Sequence, residues 1–153
     1  LSSIIVHHVK ELYIHINVNI KKNNLTTISL FLSNLWESNP FIYSYQERLK
    51  KKLKANNIHL ELCLTSNIVT KVYKSFKDHP ADFLYKNDFS ISINTDGRTI
   101  SDTNLNNEYG ILGSHFNWIK SHFLKVNINS MEASFANLKI KTKIISLLKS
   151  SYN

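Results

Sequence analysis

Residues 79–97 read HPADFLYKNDFSISINTDG, and the way this stretch divides decides the fold. Pro80 suits the opening of a helix, where its missing N–H costs little, so HPADFLYKN (79–87) is predicted helical. The run DFSISINT (88–95) then reads as a strand and stops at Asp96-Gly97, a turn signal. Upstream, IHLELCL (58–64) is a second strand. Strand, helix and strand at this spacing ask for a parallel crossover connection.

Working outward, YQERLKKKLKAN (45–56) is an amphipathic helix with Leu49 and Leu53 on one face and lysines on the other. Pro40 breaks the chain before it, and Phe41-Ile42-Tyr43 reads as a short strand. LTTISLFLSNLW (25–36) is predicted helical, although Thr26, Thr27 and Ile28 weaken its propensity. YIHINVNI (13–20) has period-two alternation with β-branched residues at every second position, a strand. Residues 1–12 carry a helical stripe. Beyond Thr103 helices are predicted over 103–112, 115–125, 130–135 and 138–149. The expectation is an α/β fold, with about four parallel strands near 13–19, 40–43, 58–63 and 89–95. No linker or internal repeat divides the chain, so 1–153 is expected to be a single domain.

Composition narrows the function classes. The 153 residues are 42% hydrophobic, enough for a buried core, and no stretch approaches the roughly 20 apolar residues of a membrane span. One cysteine, Cys63, excludes an internal disulfide framework and any multi-cysteine metal site, and a cytoplasmic location is expected. A net charge of +8 raises the question of nucleic acid. Yet 17 lysines stand against two arginines, and arginine is the residue that reads guanines and clamps phosphates. The excess of Lys, Asn and Ile with only three glycines fits an AT-rich coding sequence better than a nucleic-acid partner. Leu1 is not an initiator methionine, and the chain reads as though cut from something longer.

Seven histidines invite a metal site, but their spacing does not build one. His7 and His8 are adjacent on a helix and cannot face one ion. His15 and His59 are lone strand histidines, and His115 and His122 lie two helical turns apart. A complete zinc site needs about four ligands at close range. Asp96 is better placed. It follows an apolar strand at the C-terminal end, where parallel sheets and barrels collect their chemistry, and there a carboxylate can hold a metal or act as a base. Glu61 and Cys63 alternate on one strand face, and Cys63 has no cationic sequence neighbour to activate it, so an inert buried thiol is expected.

Several stretches in order, HLELCLTSN (59–67), KSFKDHP (74–80), SINTDGRTISDT (92–103) with Glu108-Tyr109, and NINSMEASF (127–135), resemble the C-terminal part of adenosine deaminases of the bacterial branch. Leu64 stands where the family has proline. The resemblance implies the C-terminal half of a (β/α)8 barrel whose complete form binds zinc and hydrolyses adenosine to inosine and ammonia. It places Asp96 on the zinc-ligand aspartate and Gly97 on the purine-contacting position, where Gly97 has no side chain to offer. The family's H-A-G-E motif falls on Asn19-Ile20-Lys21-Lys22 in one alignment. A second alignment puts His15 on the ligand histidine and Val18 on the glutamate. Neither retains the glutamate. The family's G-H-G falls on Ser38-Asn39-Pro40, without a histidine, and no His-x-His is present.

The resemblance therefore implies a deaminase relative whose catalytic residues are mostly absent, an inactive fragment. The alternative is a catalytically dead homologue acting as a binding or interaction protein. The implied partner is a purine nucleoside once the remaining half is supplied, with no membrane partner. Open sheet edges of a half-barrel would favour self-association.

Overall fold

The computed structural model describes the backbone of residues 13–18, 26–31 and 40–152, and the side chains of residues 47–152. The expected helix over 1–12 and the Asn19–Lys22 stretch lie outside the described residues. Two strands open the chain: β1 (Tyr13–Val18) and β2 (Thr26–Phe31) pair antiparallel, with Tyr13 opposite Phe31 and Val18 opposite Thr26. The helix expected over 25–36 is thus replaced by a strand at 26–31. Thr26, Thr27 and Ile28 explain the difference, since β-branched side chains lose freedom in a helix and fit a pleated surface.

Pro40 opens a helix instead of breaking the chain. The first helix, α1 (Pro40–Ala55), absorbs Phe41-Ile42-Tyr43, which were expected as a short strand. The reason is the asymmetry of helix ends: the first turn has N–H groups without intrahelical partners, so a proline there forfeits nothing. Leu53 of α1 enters the core and Leu49 packs against it, as their four-residue spacing predicts.

The crossover unit follows. β3 (Leu60–Leu62) and β4 (Ile91–Ile93) pair in parallel, with Leu60, Glu61 and Leu62 opposite Ile91, Ser92 and Ile93. Between them lie α2 (Leu64–Val69), a single 3-10 turn at Phe76–Asp78, and α3 (Ala81–Lys86). Pro80 caps α3 one position before the first helical residue. All three residues of β4 are buried, as befits a parallel strand covered on both faces. β1 also lies beside β3, and the helix α6 (Lys120–Ala133) packs on β4. Leu60, Leu62, Leu64, Ile91, Ile93, Leu112 and Val126 form the centre of the core.

Two short links lead out of the sheet: α4 (Arg98–Ser101) and α5 (Leu105–Phe116). The final helix is α7 (Leu138–Ser151). Asn104 and Asn137 cap α5 and α7 by accepting the N–H of Asn107 and Ile140, both at 3.0 Å. Asn117 ends α5 in the left-handed region at φ 57°. The break expected near 113–115 therefore comes at 117–119, and the helices expected over 115–125 and 130–135 are one helix. Trp118, buried in this corner, donates its indole N–H to Asp82 Oδ1 at 3.1 Å and so fastens α3 to the α5–α6 turn.

Candidate functional site at the strand ends

The two parallel strands end side by side, and their C-terminal loops carry the polar chemistry. The ladder continues one bond past β4, where Asn94 N–H donates to Leu62 C=O at 2.8 Å. Two residues later Asp96 takes φ 55°, a left-handed conformation that a short polar side chain tolerates better than most. That turn leaves Asp96 Oδ2 accepting from Ser66 Oγ at 2.8 Å. Ser66 comes from the first turn of α2, immediately after β3. One strand end thus holds the carboxylate of the other.

A second acid stands behind the first. Glu108 of α5 is fully buried, and its Oε1 accepts from Thr103 Oγ1 at 2.8 Å while Oε2 accepts the Thr65 N–H at 3.2 Å. Cys63 lies among these groups. Burial pushes its thiol up to about 12, and the negative charges of Asp96, Glu108 and Glu61 add to the effect. A backbone hydrogen bond from Asp96 pulls weakly the other way. Cys63 is a neutral thiol here, not a nucleophile.

The described histidines lie elsewhere. His59 precedes β3, at the opposite end of the strands from Asp96, with Nδ1 2.8 Å from Ser90 Oγ and Nε2 2.9 Å from Ser92 Oγ. Desolvation lowers its pKa to about 4. His79 is buried beside α3, where Nδ1 accepts the Ala81 N–H at 3.2 Å and Nε2 lies 3.0 Å from the Asn67 side-chain amide. Burial lowers its pKa to about 3. His115 rests on Phe76, and His122 stacks on Trp118 and lies tilted against Tyr85 in the helical layer. His15 falls in β1, and its side chain is outside the described residues.

Gly97 caps α4 at φ −67°, an angle open to any residue. A Cβ added there would meet Ile100 at 3.6 Å, ordinary contact. The turn expected from Asp96-Gly97 is present, but the aspartate carries its positive φ. Beyond it, an open polar depression of about 510 Å³ is lined by Arg98, Thr99, Asp102, Thr103 and Asn104.

The adenosine deaminase family profile matches residues 42–151, which include both parallel strands and every helix from near the start of α1 to α7. The chain belongs to the adenosine deaminase family. It is 42% identical over 97 residues to the adenosine deaminase of Streptococcus mutans, covering 63% of this chain and 28% of that protein. The apo structure of the N6-methyl-AMP deaminase from Arabidopsis thaliana superposes with a TM-score of 0.63 at 31% identity, covering 68% of this chain and 31% of that one. The adenine deaminase of Arthrobacter aurescens shares the fold, with a TM-score of 0.67 at 17% identity over 71% of this chain and 33% of that one. This member of the adenosine deaminase family therefore spans about a third of the length of the relatives it matches, and its α/β fold is the C-terminal part of their barrel.

Within that barrel portion, Asp96 stands at the C-terminal strand end, where the resemblance sets the metal-ligand aspartate. Zinc asks for about four ligands, whereas no three His, Cys, Asp or Glu side chains converge among the described residues. Asp96 alone does not make a zinc site. Sequence reasoning assigned no role to Ser66, Thr65 or Glu108, although all three lie in stretches that carry the resemblance. Their meaning comes from contacts 30 and 43 residues apart, which no local pattern reveals.

Proposed function

We propose that this chain contributes the aspartate wall of a 6-aminopurine deaminase site, and that it does not turn over substrate by itself. The observation that carries this is Asp96, set at the C-terminal end of β4 and held by Ser66 from the neighbouring strand end. In a complete site the substrate would be a purine nucleoside or nucleotide, adenosine being the family's own, and the product the 6-oxo purine. A related Arabidopsis protein, 29–30% identical, has been solved with IMP and GMP, which supports a purine as the ligand class. Toward the zinc implied by the family this chain would offer the single carboxylate of Asp96, since no three His, Cys, Asp or Glu side chains converge among the described residues. General acid–base catalysis needs a group within hydrogen-bond reach of the reacting atoms, and in this reading the rest of the barrel would supply it.

The test has two arms. Purified chain with adenosine and added zinc, followed by absorbance as inosine forms, is expected to show no turnover above buffer. Co-expression with the remaining two thirds of the S. mutans adenosine deaminase as a separate polypeptide is expected to give turnover, and Asp96→Ala in this chain to abolish it. Turnover by the chain alone that vanishes in Asp96→Ala would overturn the inactivity. Turnover in the complemented pair that survives Asp96→Ala would overturn the role of Asp96.

A further inference from the structure

Helix α2 begins without a cap of its own. Its N-cap residue is Cys63, whose side chain makes no capping bond. The N–H groups of a helix's first turn have no intrahelical acceptor and are costly to bury unpaired. Thr65, the second residue of α2, finds its acceptor in Glu108 Oε2 on α5. The other oxygen of the same carboxyl accepts from Thr103, in the loop that leaves α4. Thr103 Oγ1 also lies 3.4 Å from Thr65 Oγ1, closing the triangle. Ser66, which holds Asp96, is the very next residue along α2.

A carboxyl with no exposed surface is expensive unless every oxygen is satisfied. The described residues offer Glu108 no cation, only one hydroxyl and one N–H, and each comes from a different strand-end loop. A carboxylate offers two acceptor oxygens set about 2.2 Å apart, so it can take one donor on each and span two separate loops. We propose that Glu108 is a positioning residue: it serves as a remote cap for α2, ties the loop after β3 to the loop after β4, and thereby sets Ser66 against Asp96. The inference rests on the reading of Asp96 as the functional carboxylate of this site, and it adds the device that aims it. The hydrogen bonds of Glu108 go to Thr65 and Thr103, not to Asp96. Glu108 acts through Thr65 and Ser66.

Carboxyl-detected and amide NMR of the full chain test this without substrate or metal. The Thr65 amide is expected to exchange at least tenfold faster in Glu108→Ala than in the unsubstituted chain, because its acceptor is gone. Thr65 exchange that is indifferent to Glu108 would overturn the strap. In Thr103→Val and Glu108→Gln, the Asp96 carboxyl and Ser66 Cβ resonances are expected to shift while those of His59, Ser90 and Ser92 stay in place. Thr103→Ser, which keeps the hydroxyl, is expected to restore the unsubstituted positions. Unmoved Asp96 and Ser66 resonances with faster Thr65 exchange would make Glu108 a cap and nothing more. Equal shifts at both strand ends would mean general loosening and would also overturn the proposal. Failure of the deaminase reading leaves these outcomes unchanged, and failure of the strap leaves the complementation assay unchanged.

Discussion

The two ends of the β3–β4 pair are built from opposite materials. At the N-terminal end the His59 ring lies between the hydroxyls of Ser90 and Ser92. The ring is held neutral by burial and finds both partners in the adjoining strand segment, so that end is complete in itself. At the C-terminal end Asp96, Glu108 and Cys63 gather, with donors drawn from hydroxyls and backbone N–H groups. Among the described residues no ion pair reaches either acid. One end locks register; the other concentrates negative charge around a carboxylate that a neighbouring strand end holds in place. Parallel α/β sheets collect chemistry at the carboxyl ends of strands, and here the asymmetry is visible in which side chains are satisfied by neutral partners.

The largest effect expected from this contrast is acid lability. His59 and His79 have folded pKa values lowered from 6.5 to about 4 and about 3, both by burial. The unfolded chain takes up a proton on each near pH 6.5, while the folded chain refuses it. Their contribution to stability is therefore present above pH 6.5 and lost as pH falls toward 4 and then 3. Each histidine adds a slope of about 1.4 kcal/mol per pH unit within its window, so several kcal/mol should disappear between pH 6.5 and 4. Urea melts across that range check it. His59→Gln should remove about half the slope; an unchanged slope would mean that the N-terminal strand end takes no part in the titration.

The anionic end makes a different prediction. With the Cys63 thiol raised from 9.0 to about 12, its thiolate fraction at pH 8 falls roughly thousandfold. Alkylation by iodoacetamide should be slow in the folded chain and should reach ordinary rates in denaturant. Because Asp96 is one of the charges that raises this thiol, Asp96→Asn should speed alkylation in the folded state. A rate indifferent to Asp96 would separate Cys63 from the carboxylate and break the picture of a shared negative field.

How much of this was readable in the sequence depends on the range of each interaction. The two parallel strands were legible because IHLELCL and DFSISINT are short apolar runs bounded by turn residues, and Pro80 marked the helix between them. The position of Asp96 was legible because the end of such a strand is a local property. Residues 26–31 were misread because a brief apolar run fits either period, and β-branching decided for the strand. Pro40 was misread because a proline that cannot sit inside a helix can still begin one. The Glu108 bridge was not legible at all: its two partners lie five and 43 residues away, and only the folded chain brings them together.

The smallest expected effects concern backbone conformation. Among the described residues six non-glycines have positive φ, namely Asn57, Lys71, Asp88, Asp96, Asp102 and Asn117, whereas no glycine does. Asn and Asp accept the left-handed region through local hydrogen bonding, but Lys71 at φ 60° has no such help from its side chain. Its N–H donates to Ile68 C=O at 2.9 Å, a bond that glycine would keep. Lys71→Gly should therefore relieve strain that exceeds the added entropy of the unfolded chain, for a net gain of about 0.5–1 kcal/mol. Gly97 is the converse case, at the C-terminal strand end. Its φ of −67° and ordinary contact for an added Cβ mean that Gly97→Ala should be tolerated and should stabilise by about 0.4–1 kcal/mol, through the unfolded state alone. Thermal melts of the two variants should each rise by a few degrees, and the Asp96 resonances should hold their positions in Gly97→Ala. Destabilisation by Gly97→Ala would show that the turn after β4 needs a glycine, and would shift the constraint on the site from the Asp96 backbone to its neighbour.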